Sequence, residues 1–122
     1  MKYICLDLWN KRVGVAVHTE NIAFPKDVVA RTDIISYIKK YIRENETDGI
    51  IVGLPYDLYW KDLRQLEKTQ DFIEKLKDIF PKLSIIGHDE RFTSFIAAEG
   101  FNDHRDDIAA QCILQSYLDT NS

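Results

Sequence analysis

Nothing in the sequence is apolar over a length that would span a bilayer, and the first residues lack the charged-then-apolar order of a signal peptide. The chain is therefore expected in the cytoplasm, with no membrane partner. Cysteine is scarce. Cys5 and Cys112 are the only two among 122 residues, and they lack the paired spacing of a zinc site or a redox motif. They read as buried, reduced thiols. A basic excess is also missing: 16 Lys and Arg stand against 20 Asp and Glu, for a net charge of −4. That argues against a protein that coats nucleic acid through bulk charge, because phosphate binding runs on Lys and Arg. It leaves room for a nucleic-acid enzyme, whose metal-binding carboxylates make the total negative while a local basic rim holds phosphates. Repeats, low-complexity tracts and linkers are absent. What is present is an ordinary globular balance, 45% hydrophobic and 30% charged. The length suits one domain with a single core, over 1–122.

Residues 3–8 and 12–18 read as two strands rich in Val, Ile and Tyr, with Asn10 and Lys11 in the turn. A third strand covers 22–30, interrupted near Pro25. Thr32 or Asp33 can cap a helix through about Glu44, with Ile34, Ile35, Ile38, Tyr41 and Ile42 on one face. The stretch GIIVGLP, 49–55, is fully apolar, the pattern of a parallel strand buried on both faces. A helix from Asp62 to Phe80 carries Leu63, Leu66, Ile73, Leu76 and Phe80 as its stripe, and Pro81 follows it. LSIIGHDE, 83–90, is a further buried strand. A short helix follows Thr93 and closes at Gly100. A last helix, Asp106 to Leu118, is expected to bury Ile108, Ala109, Cys112, Ile113 and Tyr117 or Leu118. Hairpin strands followed by alternating strands and helices make an α/β fold, a mixed sheet covered by helices.

In such sheets, sites form beyond the carboxyl ends of the parallel strands. Asp7 lies at one such end, Gly53-Leu54-Pro55 at a second and Asp89-Glu90-Arg91 at a third. A strand-end acid beside a core run is costly to desolvate without a partner. Lys11, Arg12, Arg91 or a divalent metal could serve. Acids from separate elements suit a hard cation such as Mg²⁺, which takes oxygen ligands. Two such ions about 4 Å apart can activate water and stabilise a leaving oxygen in phosphodiester cleavage. For Asp89 and Asp107 the plainer roles, capping or solvation, are expected. His88 reads as a strand-end side chain with an ordinary hydrogen bond, and Thr93 as a helix cap.

The blocks LDLWNKRVGVAV, IIVGLP, HDERFTS and DDIAAQCILQSYL, in that order over nearly the whole chain, resemble those of the YqgF family. These are the bacterial Holliday-junction-resolvase-like proteins, also named for pre-16S rRNA cleavage. The resemblance implies an RNase-H-like fold with a five-stranded mixed sheet. It also implies a metal-dependent nuclease linked to maturation of the 16S rRNA 5′ end, using Mg²⁺ or Mn²⁺. Carried over residue by residue, it makes Asp7, Glu90 and Asp106 the catalytic and metal-binding acids. Asp106 follows from anchoring on AAQCILQSYL, which leaves Asp107 to face elsewhere. Lys11, Arg12 and Arg91 match basic residues that would contact phosphates, and Lys61, Arg64 and Arg105 could extend the rim. The expected partner is nucleic acid, structured RNA by preference, with branched DNA as the alternative.

Rival readings follow from the same residues. An actin-like phosphotransfer module would need two such domains and a glycine at position 9. A four-way DNA junction is a rival substrate, and a resolvase of that kind acts as a dimer. A member that binds RNA or protein without cutting is suggested by Trp9 and Trp60, the only tryptophans, which stand where the family has glycine. Glycine serves where a chain needs positive φ or close approach. Two readings stay open. In one the indoles are authentic: period-two alternation would set Trp9 on the face of Asp7, crowding the metal site or offering a base a stacking surface. Alternatively both codons are UGA, read as glycine in the native lineage. Both tryptophans are expected near the acids.

Overall fold

The computed structural model describes residues 1–9, 11–54, 64–89 and 106–120. Within them the chain forms β1 (Tyr3–Leu8), β2 (Arg12–Thr19), β3 (Ile22–Ala30), α1 (Ile34–Glu44), β4 (Gly49–Leu54), α2 (Arg64–Ile79), β5 (Ser84–Asp89) and α3 (Asp106–Thr120). A single 3-10 turn, Arg31–Asp33, leads into α1. Asp33 is the N-cap residue but makes no side-chain cap bond. The strands form one sheet in the order β3-β2-β1-β4-β5. β1 pairs antiparallel with β2 and parallel with β4; β2 and β3 are antiparallel, β4 and β5 parallel.

Patterning explains that order. β1 and β4 are apolar at successive positions and buried along almost their whole length, so both faces must be covered, which places them in the middle. β3 is mostly exposed and takes an edge. Pro25 is tolerated there because an edge strand can spare a ladder N–H. The interruption expected near Pro25 is a register shift: Ala16 pairs with Pro25, with the irregularity between Val15 and Ala16. Gly49 starts β4 between β1 and β5, where a Cβ would come within 2.7 Å of the Ser84 carbonyl.

The two faces are packed separately. On one, Ile4, Leu6, Leu8, Val13, Val15, Ile50 and Val52 meet Ile34 and Ile38 of α1 and Phe72, Ile73 and Leu76 of α2. On the other, Cys5, Ala16, Ala23 and Ile51 meet Ala110, Ile113, Leu114 and Leu118 of α3. Phe72 and Thr69 belong to the buried side of α2, which the expected stripe omitted; Leu63 lies outside the described residues. The expected stripe of α3 is also corrected. Ile108, Ala109 and Cys112 are only half-buried, while Asp107, Ala110, Ile113, Leu114 and Leu118 are buried. Apolar residues surround this helix on all sides, so periodicity sets its rotation weakly. No helix among the described residues is long and apolar enough to cross a membrane.

Candidate active site

Alternation along β1 decides what Asp7 faces. Cys5 packs under α3, and Asp7, two residues on, points the same way. The cross-strand partners on that face are small: Ala16 opposite Cys5 and Gly14 opposite Asp7. The carboxylate therefore has room beneath α3, and it is only 4% exposed. A charge so buried needs strong hydrogen bonds. One is supplied by Trp9, whose indole Nε1 donates to Asp7 Oδ2 at 2.7 Å. Trp9 thus sits beside the acid, as expected; Trp60 lies outside the described residues.

α3 brings its first turn to the same place. Near its far end Tyr117 meets Tyr3 edge-on, ring centroids 5.4 Å apart. From Tyr117 back to Asp107 the helix rises about 15 Å. From Tyr3 to Asp7 the strand rises about 13 Å. The first turn of α3, Asp106 and Asp107, is therefore level with Asp7. Asp107 is buried, 9% exposed, and its Oδ1 accepts the Ile108 N–H at 3.0 Å. It lies on the same side of the helix as Ala110 and Leu114, so it does not face away as expected. Asp106 opens the helix. Side-chain amides fix this register: Gln115 accepts the Ala23 N–H at 2.9 Å and donates to Asn21 O at 2.8 Å, and Gln111 donates to Ala23 O at 3.1 Å.

The parallel strands deliver the third expected element to the same edge. Leu6, Val52 and Gly87 form one row across β1, β4 and β5, and β5 ends two residues further on, at Asp89. Glu90, Arg91 and Thr93 follow it and lie outside the described residues, as do Lys61 and Arg105; Arg64 is the first residue of α2. His88 takes the ordinary role expected of it, 3.1 Å from Ser116 Oγ and against the Tyr117 ring.

Lys11 and Arg12 are exposed in the β1–β2 hairpin. Arg31 joins them, a residue the sequence pattern did not single out. Its backbone N–H donates to Lys11 O at 2.9 Å, and its guanidinium donates to Trp9 O at 2.8 Å. Only the pairing of β2 with β3, Arg12 opposite Ala30, brings it here, and spacing along the chain carries no sign of that. Three cations thus gather at the β1–β2 hairpin of a chain whose total charge is negative, though the Arg31 guanidinium lies over the Phe72 ring, 6.0 Å from its centroid, on the α2 side of the sheet. Cys112 offers no competing chemistry: burial pushes its thiol up, so it stays protonated at neutral pH. The donors level with the first turn of α3, Asp7 and Asp107, are carboxylates, which suit a hard cation; among the described residues no three ligating side chains cluster.

Comparison with known proteins bears on this geometry. The family described as "RuvX: Holliday junction resolvase" matches residues 1–120. The chain belongs to this family. Curated relatives include a Fusobacterium nucleatum protein, 37% identical with 97% of this chain and 96% of its own covered. Others are from Karelsulcia muelleri, 33% identical with 96% and 97% covered, and Amoebophilus asiaticus, 32% identical with 96% and 93% covered. All three are named "Putative pre-16S rRNA nuclease". Among solved structures, Pelota of Archaeoglobus fulgidus matches 98% of the chain with a TM-score of 0.52 at 10% identity, this chain spanning 34% of that one; the likeness is one of fold. The five-stranded mixed sheet with flanking helices is the RNase-H-like arrangement expected, in a family of nucleases.

Proposed function

We propose that this chain hydrolyses phosphodiester bonds of 16S ribosomal RNA precursor at the Asp7 edge of the sheet, in the cytoplasm, with Mg²⁺ or Mn²⁺ held by Asp7, Glu90 and Asp106. The observation that carries this reading is the buried Asp7 carboxylate under the first turn of α3, with the exposed cations Lys11 and Arg12 in the hairpin that follows it. The names of the relatives support the RNA substrate, and the family description keeps a four-way DNA junction as the alternative.

The chain's own residues divide the work. Asp7 supplies a carboxylate whose one oxygen is fixed by the Trp9 N–H, so it does not reorient when charge develops nearby. Glu90 and Asp106 would complete an all-oxygen donor set. When bound, the divalent cation supplies charge for activating water and stabilising the departing oxygen. Lys11, Arg12 and Arg91 hold phosphates, so binding weakens steeply with salt.

A second reading gives the third position to Asp107, favoured by its burial in the first turn of α3. One experiment tests both. Asp7→Asn keeps an acceptor for Trp9 and removes the charge. It is expected to bind Mn²⁺ at least about tenfold more weakly by calorimetry and to lose cleavage of a 16S precursor transcript by about a thousandfold, with the fold retained. Undiminished cleavage by purified Asp7→Asn would sink the metal mechanism. Asp106→Asn is expected to behave like Asp7→Asn and Asp107→Asn to bind Mn²⁺ normally; the reverse assigns the role to Asp107.

A further inference from the structure

Trp9 is held more firmly than a surface tryptophan needs to be. Its Nε1 donates to Asp7 Oδ2 at 2.7 Å. Its backbone N–H donates to Arg12 O at 2.9 Å, and its carbonyl accepts from the Arg31 guanidinium at 2.8 Å. The polar edge of the ring and both sides of its backbone are fixed, yet the residue remains 43% exposed. A ring already ordered loses little rotamer freedom when a partner stacks on it. Its neighbours are cations. Lys11 and Arg12 follow it in the hairpin and are exposed, and Arg31 touches its backbone.

A half-exposed aromatic ring beside cations is how proteins hold single strands, with a base on the ring and phosphates on the charges. In a continuous duplex the bases are stacked on one another and present no face to such a ring. The position of this one matters. It is hydrogen-bonded to the acid at the centre of the site, so a base on it lies close to the bond to be cut.

We infer that Trp9 is a stacking platform for one unpaired base beside Asp7, so that the site takes a strand unpaired at the cleavage point over continuous duplex. This rests on the nuclease reading above and adds the feature of the substrate that is recognised.

The test is binding in EDTA, where no cleavage occurs. The intact chain, Trp9→Leu and Trp9→Phe are titrated with a labelled unstructured oligoribonucleotide and with the same strand annealed to its complement. The intact chain is expected to favour the unpaired strand. Trp9→Leu is expected to weaken that binding about tenfold and to leave duplex binding within about twofold. Trp9→Phe keeps a ring but gives up the bond to Asp7, and it is expected to lose less than Trp9→Leu. Equal affinity of Trp9→Leu and the intact chain for the unpaired strand overturns the platform, as does an equal loss on both ligands. Should Trp9→Leu fail to fold, quenching of Trp9 emission by the unpaired strand in Trp60→Phe protein decides the same point, and unchanged emission overturns it. Binding of neither ligand by the intact chain defeats the nuclease reading itself, and the platform with it.

Discussion

The two faces of the sheet are built from different materials. Under α1 and α2 lie large aliphatic side chains, with Ile34, Ile38, Ile50 and Leu76 almost fully buried and Thr69 as the buried polar exception. Under α3 lie Cys5, Ala16, Ala23 and Ile51, with Gly14 opposite Asp7. Small residues let the backbone of α3 approach the sheet, and glutamine side chains then tie it to β3. The two buried carboxylates among the described residues, Asp7 and Asp107, are on this side. Fully burying a Leu or Ile side chain contributes about 1.5–3 kcal/mol, so the first face supplies most of the stability. The second, with Ile51, Ile113, Leu114 and Leu118 as its large buried side chains, gives up part of that contribution for a helix whose first turn is held level with a strand-end acid. Stability and chemistry are thus assigned to opposite sides of one sheet.

The most severe way to break that division is Leu76→Ala. Leu76 is fully buried on the aliphatic face, and the cavity should cost about 2–5 kcal/mol, read as a lower urea midpoint with an unchanged slope. Cleavage per folded molecule should stay at the parent value, because α3 and Asp7 are untouched. A matching loss of turnover would show that the faces are not separable. Ala110→Leu sharpens the contrast. It overpacks the close contact between α3 and the sheet and should cost about 1–3 kcal/mol. Ala110 is one turn from Asp106 and Asp107, so the shift reaches the acids. Misplacement of about 1 Å can reduce turnover about a hundredfold, and at least a tenfold loss per folded molecule is expected. Normal turnover in Ala110→Leu would mean that the register of α3 does not matter to the site.

Reading the sequence worked well for one face and less well for the other, for a physical reason. Strands β1, β2, β3 and β4 were legible to within a residue, because apolar runs bounded by turn residues leave little choice of length. Ile34 and Ile38 were legible because α1 is polar on its far side. α3 was misjudged by about one position: Ile108, Ala109, Ala110, Cys112, Ile113 and Leu114 are all apolar, so no single face stands out. One helix position is about 100° of rotation, which is the difference between Asp106 and Asp107. Asp7 was legible because it ends an apolar run. Arg31 was not, because strand pairing alone carries it to the hairpin. The same holds for the Trp9 to Asp7 bond: alternation gave the shared face, and only the structure gives the contact.

The smallest expected effect lies on the aliphatic face and concerns alkaline pH. Tyr37 of α1 packs against that core, and its hydroxyl donates to Asp27 Oδ2 at 2.8 Å. Burial, and then the Asp27 carboxylate, hold the phenol well above its usual value of 10.0. Because the folded state resists losing this proton, Tyr37 contributes stability that is fully present below pH 10 and is lost as pH rises above it. The group is partly open to solvent, so the contribution should be a few tenths to about 1 kcal/mol. Tyr37→Phe removes both the hydrogen bond and the titration. The variant should be slightly less stable than the parent at pH 8, and the gap should close as pH rises through the range where the buried phenol ionises. Tyr41 shares the upward shift through burial and remains in both proteins, so the difference between their denaturation curves isolates Tyr37. Cleavage at pH 8 should be the same in both, since Tyr37 lies across the sheet from Asp7. A gap that stays constant up to the highest pH measured would place the Tyr37 contribution in packing rather than in the proton it holds.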